Sequence, residues 1–190
     1  MPKSTFASTF RSQAKILIGL VALMWALEIA DQFILGRSLD RYGIMPRTLI
    51  GLRGILCSPF LHGGFGHLSA NTVPFMVLGW LIMARQTRDF WRVTAIVMLI
   101  SGLGVWLLAA PNTVHIGASG LIFGYFGFLL LRSYFERSPA SIALSMLVIF
   151  LYGGLIWGVL PLQAGVSWEG HLFGFLGGAV AARLLTGGRR

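Results

Sequence analysis

The chain has 190 residues, 56% of them hydrophobic and only 11% charged, with a formal net charge of +9. A soluble domain of this size could not hide so much apolar surface, and a charged fraction under half the usual ~25% requires lipid as solvent. The 15 Lys and Arg residues form no patch but sit in small groups between long apolar runs, a pattern of membrane topology that argues against nucleic acid as a partner.

The first apolar run, at about 16–35, follows Lys3, Arg11 and Lys15. No small-x-small cleavage site follows it. Glu28 occupies the −3 position of the best candidate cut, after Ala30, so a retained anchor is expected rather than a signal peptide. Further apolar runs fall at about 67–84, 91–110, 119–131, 142–161 and 171–186. A bilayer core needs about 20 apolar helical residues to cross, so the sequence predicts an all-α membrane protein. Six transmembrane helices in a single domain over 1–190 are expected. The connection 36–66 contains Pro46 and Pro59. It is too apolar (Leu49, Ile50, Leu52, Ile55, Leu56, Phe60, Leu61) for a solvated loop, and is expected in the membrane interface. Cys57, the single cysteine, allows no intramolecular disulfide and no cysteine metal site.

Orientation follows from the basic residues. With a cytoplasmic N-terminus, the inside set is Lys3, Arg11, Lys15, Arg85, Arg88, Arg92, Arg132, Arg137, Arg183, Arg189 and Arg190. The outside set is Arg37, Arg41, Arg47 and Arg53. The positive-inside rule then predicts both termini in the cytoplasm, with the protein integral to the cell membrane.

In that topology three polar clusters fall at external span ends. His67 and Asn71 open span two on one helix face, Gly117-Ala118-Ser119-Gly120 opens span four, and His171 opens span six ahead of Gly174 and Gly178. Each is weak alone; their convergence on one membrane face is not. A serine hydroxyl needs a neighbouring base to become a nucleophile, and histidine is the usual base near neutral pH. The tetrahedral intermediate needs donors, which the Ser119 N–H, the Asn71 amide and the His67 ring could supply. Glycines let the two helices approach: Gly120, Gly124 and Gly127 on one, the Gly174/Gly178 pair on the other. From Ser119 to Arg132 span four rises only about 20 Å, which is short of the ~30 Å core. Ser119 is therefore expected below the outer surface, beside a wet cavity. Phe123 lies one turn from Ser119 on nearly the same face and is expected to pack against the His171 imidazole.

These residues resemble the rhomboid family of intramembrane serine proteases. The resemblance covers nearly the whole chain, through L-H-G-G-F-G-H-L-S-A-N at 61–71, G-A-S-G at 117–120 and H-L-F-G-F-L-G-G at 171–178. It implies Ser119 as nucleophile, His171 as base, His67 and Asn71 as oxyanion donors, and no third acidic member. His62 is implied as a structural residue of the loop entering span two. Substrates are implied to be transmembrane segments of other membrane proteins, with lipid as the surrounding partner. Two departures stand out. The first-loop Trp-Arg pair of some members is replaced by Leu52-Arg53, and a common tyrosine four residues after the serine is Phe123.

Other polar residues carry simpler readings. Glu28 and Asp31 read as interfacial or structural hydrogen-bonding groups. Glu169, two residues before His171, does not share its helix face and is not expected to complete a triad. His115 reads as a loop residue. No H-E-x-x-H motif and no paired aspartates are present, so neither metal nor aspartyl catalysis is supported and no cofactor is implied. Two other functions fit such a chain: a catalytically inactive client-binding relative, which would lack the nucleophile or the base, and a small transporter, which would show internal repeats and midplane polar sites.

Overall fold

The computed structural model describes residues 6–163 and 165–186; Lys3, Arg189 and Arg190, used above for orientation, lie outside them. Seven α-helices are present among the described residues: α1 Phe6–Phe33, α2 Gly54–Cys57, α3 Phe65–Met83, α4 Thr87–Leu108, α5 Ser119–Glu136, α6 Pro139–Tyr152 and α7 Trp168–Thr186. The six long ones fall on the six apolar runs. Four are long and apolar enough to cross a membrane: Ala7–Phe33, Phe65–Met83, Thr87–Leu108 and Pro139–Val159, the last being α6 with its 3₁₀ continuation. The expected six spans are thus represented by four helices of that kind.

The remaining two fall short in composition, and α5 shows why. Every residue from Leu121 to Leu129 is buried, so α5 is sheathed by protein and needs little lipid-facing surface. Arg132 and Glu136 lower its apolarity, as Glu169, His171 and Arg183 do in α7. The expected shortness of the fourth span needs correction. Arg132 is buried and donates to Glu136 at 2.8 Å, so it does not mark a boundary with water. The helix continues to Glu136, and its 18 residues rise about 27 Å. Arg85, just after α3, also pairs with Glu136 and ties the two helices together at this end. Capping sharpens the next start: Ser138 and Ser141 form a reciprocal capping box, with Pro139 in the first turn of α6.

Helices α5 and α7 lie in backbone contact. A Cβ on Gly174 would strike the Gly120 carbonyl oxygen, and one on Gly178 the Gly124 carbonyl oxygen. Glycine at these positions is therefore a packing requirement, since any side chain would hold the two backbones apart. Helix α4 closes on both: Val97 fills the space beside Gly124, and the Phe173 ring fills that beside Gly104.

The connection between α1 and α3 is folded. It winds through 3₁₀ turns at Leu39–Tyr42, Ile50–Arg53 and Ser58–Phe60, with α2 between the last two. Gly54 packs on the Gly43 backbone, Gly51 on that of Met45, and Ile55 against Gly102 of α4. Its outer face stays apolar, with Leu49, Ile50 and Leu56 exposed. Ile44 is buried and pairs antiparallel with His115, each N–H donating to the other's carbonyl at 3.0 Å.

Candidate active site

Ser119 is the first residue of α5 and is half-buried. The turn that delivers it is fixed from behind. Gly117 has φ +117, a conformation that L side chains rarely adopt, and its N–H donates to the Ser58 carbonyl at 2.8 Å. The space a Cβ would fill there holds the His67 ring, with Cε1 2.6 Å and Nε2 2.8 Å from that point. His67 of α3 is thereby set against the serine-bearing turn. Asn71, one helical turn further along α3, is buried, and its Nδ2 makes no hydrogen bond among the described residues.

His62 holds the same turn. It is 1% exposed, and its Nε2 accepts the Ala118 N–H at 3.4 Å, so the neutral ring carries its proton on Nδ1. Burial, reinforced by the neighbouring His67, lowers the His62 pKa to about 4, with the Phe60 backbone pulling the other way. The folded state therefore prefers neutral His62. Stability is full above the ordinary value near 6.5 and is lost as pH falls from there towards 4. A pKa difference of 2.5 corresponds to about 3 kcal/mol when fully titrated. Melting in mild detergent should accordingly drop steeply between pH 7 and pH 5, and His62→Gln should flatten the slope. An equal slope in the variant would assign the titration elsewhere. His115, also lowered by burial, leaves a residual slope of the same sign.

His171 sits in the first turn of α7 and is buried. Its ring lies flat on Phe123 of α5, with centroids 4.0 Å apart and planes at 5°. Its Nδ1 stands 2.8 Å from the Gly158 carbonyl oxygen. Ser101, in the middle of α4, donates to the Gly170 carbonyl at 2.9 Å, and its Oγ fills the space beside Gly120. It braces the residues next to both Ser119 and His171. Ser101 and Gly158 were not singled out by sequence reasoning: one serine in an apolar run and one backbone carbonyl carry no recognisable spacing. The structure sets His67 against Gly117, and Phe123 against His171. No hydrogen bond joins Ser119 to His171 among the described residues.

The neighbouring polar residues have structural partners. His115 links Thr113, at 2.8 Å from Nε2, to Ser167, at 2.6 Å from Nδ1. Glu28 accepts from Gln32 at 2.8 Å, and Asp31 accepts from the Leu39 N–H at 2.8 Å. Glu169 makes no hydrogen bond to the His171 ring. Among the described residues no three His, Cys, Asp or Glu side chains are grouped to hold a metal ion.

The Rhomboid domain family matches residues 51–187 of this chain. The chain belongs to the rhomboid family. The match takes in α2 through α7, and so every residue of the site just described. The uncharacterized protein Rv1337 of Mycobacterium tuberculosis is 43% identical over 183 residues, covering 92% of this rhomboid chain and 75% of the relative. The uncharacterized protein ML1171 of Mycobacterium leprae is 42% identical over 183 residues, covering 92% and 72%. RHOMBOID-like protein 5 of Arabidopsis thaliana is 32% identical over 195 residues, covering 92% and 61%. Family membership together with the apolar helices makes this rhomboid an integral membrane protein.

Proposed function

We propose that this rhomboid is an intramembrane serine endopeptidase that hydrolyses peptide bonds in or beside the transmembrane segments of other membrane proteins. Ser119 Oγ attacks the scissile carbonyl carbon while its proton passes to His171 Nε2; that proton goes to the amine as the C–N bond breaks, and water, deprotonated by His171, then cleaves the acyl-enzyme ester and restores the Ser119 hydroxyl. The Ser119 N–H, the Asn71 amide and the His67 ring donate to the oxyanion. The chain crosses the cell membrane six times, with both termini in the cytoplasm.

One observation carries this reading. Asn71 presents a buried Nδ2 with no partner among the described residues. Leaving such a donor unpaired costs about 1–3 kcal/mol, and what distinguishes this one from Arg53 Nε, His62 Nδ1 and Trp80 Nε1 is its place on the helix face of His67. A tetrahedral oxyanion is an acceptor of the right kind. The test is incubation of purified protein with single-span substrates, with products mapped by mass spectrometry. One cut in or next to the span is expected; no cut, or cuts confined to soluble domains, would sink the proposal. Asn71→Ala should lower kcat by about 10²–10³-fold, the usual loss for one oxyanion donor, with KM little changed. A rise in KM alone would make Asn71 a substrate-binding residue instead.

A further inference from the structure

The His171 imidazole is held at two points, its face on Phe123 and its Nδ1 on the Gly158 carbonyl. A carbonyl oxygen only accepts hydrogen bonds. In the neutral ring Nδ1 therefore carries the proton, and Nε2 keeps its lone pair. A serine-activating histidine needs this tautomer, and in soluble triads a carboxylate at Nδ1 enforces it. Here the carboxylate nearest in sequence, on Glu169, makes no hydrogen bond to the ring. We propose that the main-chain carbonyl of Gly158 is the third member of the hydrolytic group, a positioning contact that keeps the His171 proton on Nδ1. The proposal rests on the Ser119–His171 reading of the site.

The local fold makes this carbonyl available. Gly158 is the penultimate residue of the 3₁₀ segment Gly153–Val159 that continues α6. The last carbonyls of a helix have no partner within it, and the chain turns extended at Leu160, with φ −98 and ψ 148. The orphaned oxygen finds its donor on α7. Residue 158 is also confined to glycine: a Cβ would lie 2.5 Å from Phe123 Cζ and 3.4 Å from His171 Nδ1, at the junction of both restraints. During attack, the proton leaving Ser119 Oγ arrives at Nε2. The positive charge of the resulting imidazolium is then shared with an Nδ1–H that already points at an acceptor. The same hydrogen bond thus strengthens as charge develops, without any group having to move. Trp157, beside Gly158, is 66% exposed, so the segment lies at the surface of the bundle.

The decisive variant replaces Val159 with its α-hydroxy-acid analogue. This turns the 158–159 amide into an ester and weakens the acceptor while leaving every side chain in place. The same replacement at Trp157 controls for losing an N–H in the segment. Cleavage of a single-span test substrate gives kcat and KM, and ¹⁵N shifts of labelled histidine in a Ser119→Ala background give the tautomer of the ring. The ester at 158–159 should lower kcat about tenfold with KM within about twofold, and should mix the tautomers; the control should do neither. Unchanged kcat and tautomer in a folded 158–159 ester would overturn the proposal. The protein with an intact backbone also decides by itself, because a neutral His171 protonated on Nε2 would overturn it without any variant. A Ser119→Ala enzyme that still cleaves would instead overturn the dyad reading, an outcome separate from the nitrogen shifts.

Discussion

Ser119→Ala and His171→Ala are each expected to lower kcat by about 10⁴-fold or more while the protein stays folded in detergent. The size follows from the chemistry: without the hydroxyl no acyl-enzyme can form, and without the imidazole the hydroxyl has no base at neutral pH. The two residues act as one unit, so the double mutant should be no slower than the slower single mutant. Stability should respond differently. The Ser119 side chain makes no hydrogen bond among the described residues, so its loss should barely change the melting temperature. His171 is stacked on Phe123 and bonded to Gly158, so its loss should lower it. Parallel activity assays and melts on the same preparations check both statements. Substantial cleavage by folded Ser119→Ala would end the serine mechanism.

Gly174→Ala should also lower activity, by about 100-fold, although position 174 bears no reacting atom. The added methyl meets the Gly120 carbonyl oxygen, a backbone atom that cannot rotate aside, so α5 and α7 must separate. Overpacking of this kind costs about 1–3 kcal/mol. The separation also carries His171 away from Ser119, and a misplacement near 1 Å can cost on the order of 100-fold in rate. Gly19→Ala provides the contrast. A Cβ there meets nothing within 4 Å, and alanine favours a helix, so activity should hold and stability should hold or rise. A wild-type cleavage rate in Gly174→Ala would show that the close approach of the two helices is not needed.

The six apolar runs announce the six long helices because hydrophobic length is a summed property, insensitive to any single residue. Which of them face lipid is less legible. The polarity of α5 and α7 reflects burial among other helices, a tertiary fact absent from a one-dimensional window. The end of α5 is illegible for the same reason: Arg132 looks like a boundary charge until Glu136 and Arg85 are found beside it. Of the candidate site, spacing points to Phe123 as the ring facing the incoming α7, since it repeats the Ser119 face one turn on. The Ser101 brace and the Gly158 carbonyl have no such signature. The first is a common residue at no fixed interval, and the second is a backbone atom that every residue possesses. The fold of the 36–66 connection is written in Gly51 and Gly54, but only their neighbours, Met45 and Gly43, reveal what those glycines admit.

The contacts around His115 have a direction. Thr113 spends its one hydroxyl proton on the Ala110 carbonyl, at 2.6 Å, so towards the imidazole it can only accept. His115 Nε2 must then be the donor, which leaves Nδ1 to receive the Ser167 hydroxyl proton. Ser167 Oγ in turn accepts the Gly170 N–H at 3.3 Å. Four hydrogen bonds thus run in a single sense from the head of α7 to the end of α4. A proton added to His115 would set two donors face to face at Nδ1 and force the Ser167 hydroxyl to turn away, while the other three links keep their sense. The loop that leads into Ser119 and the turn that leads into His171 are therefore joined through one neutral imidazole, and protonating it breaks the single link between them.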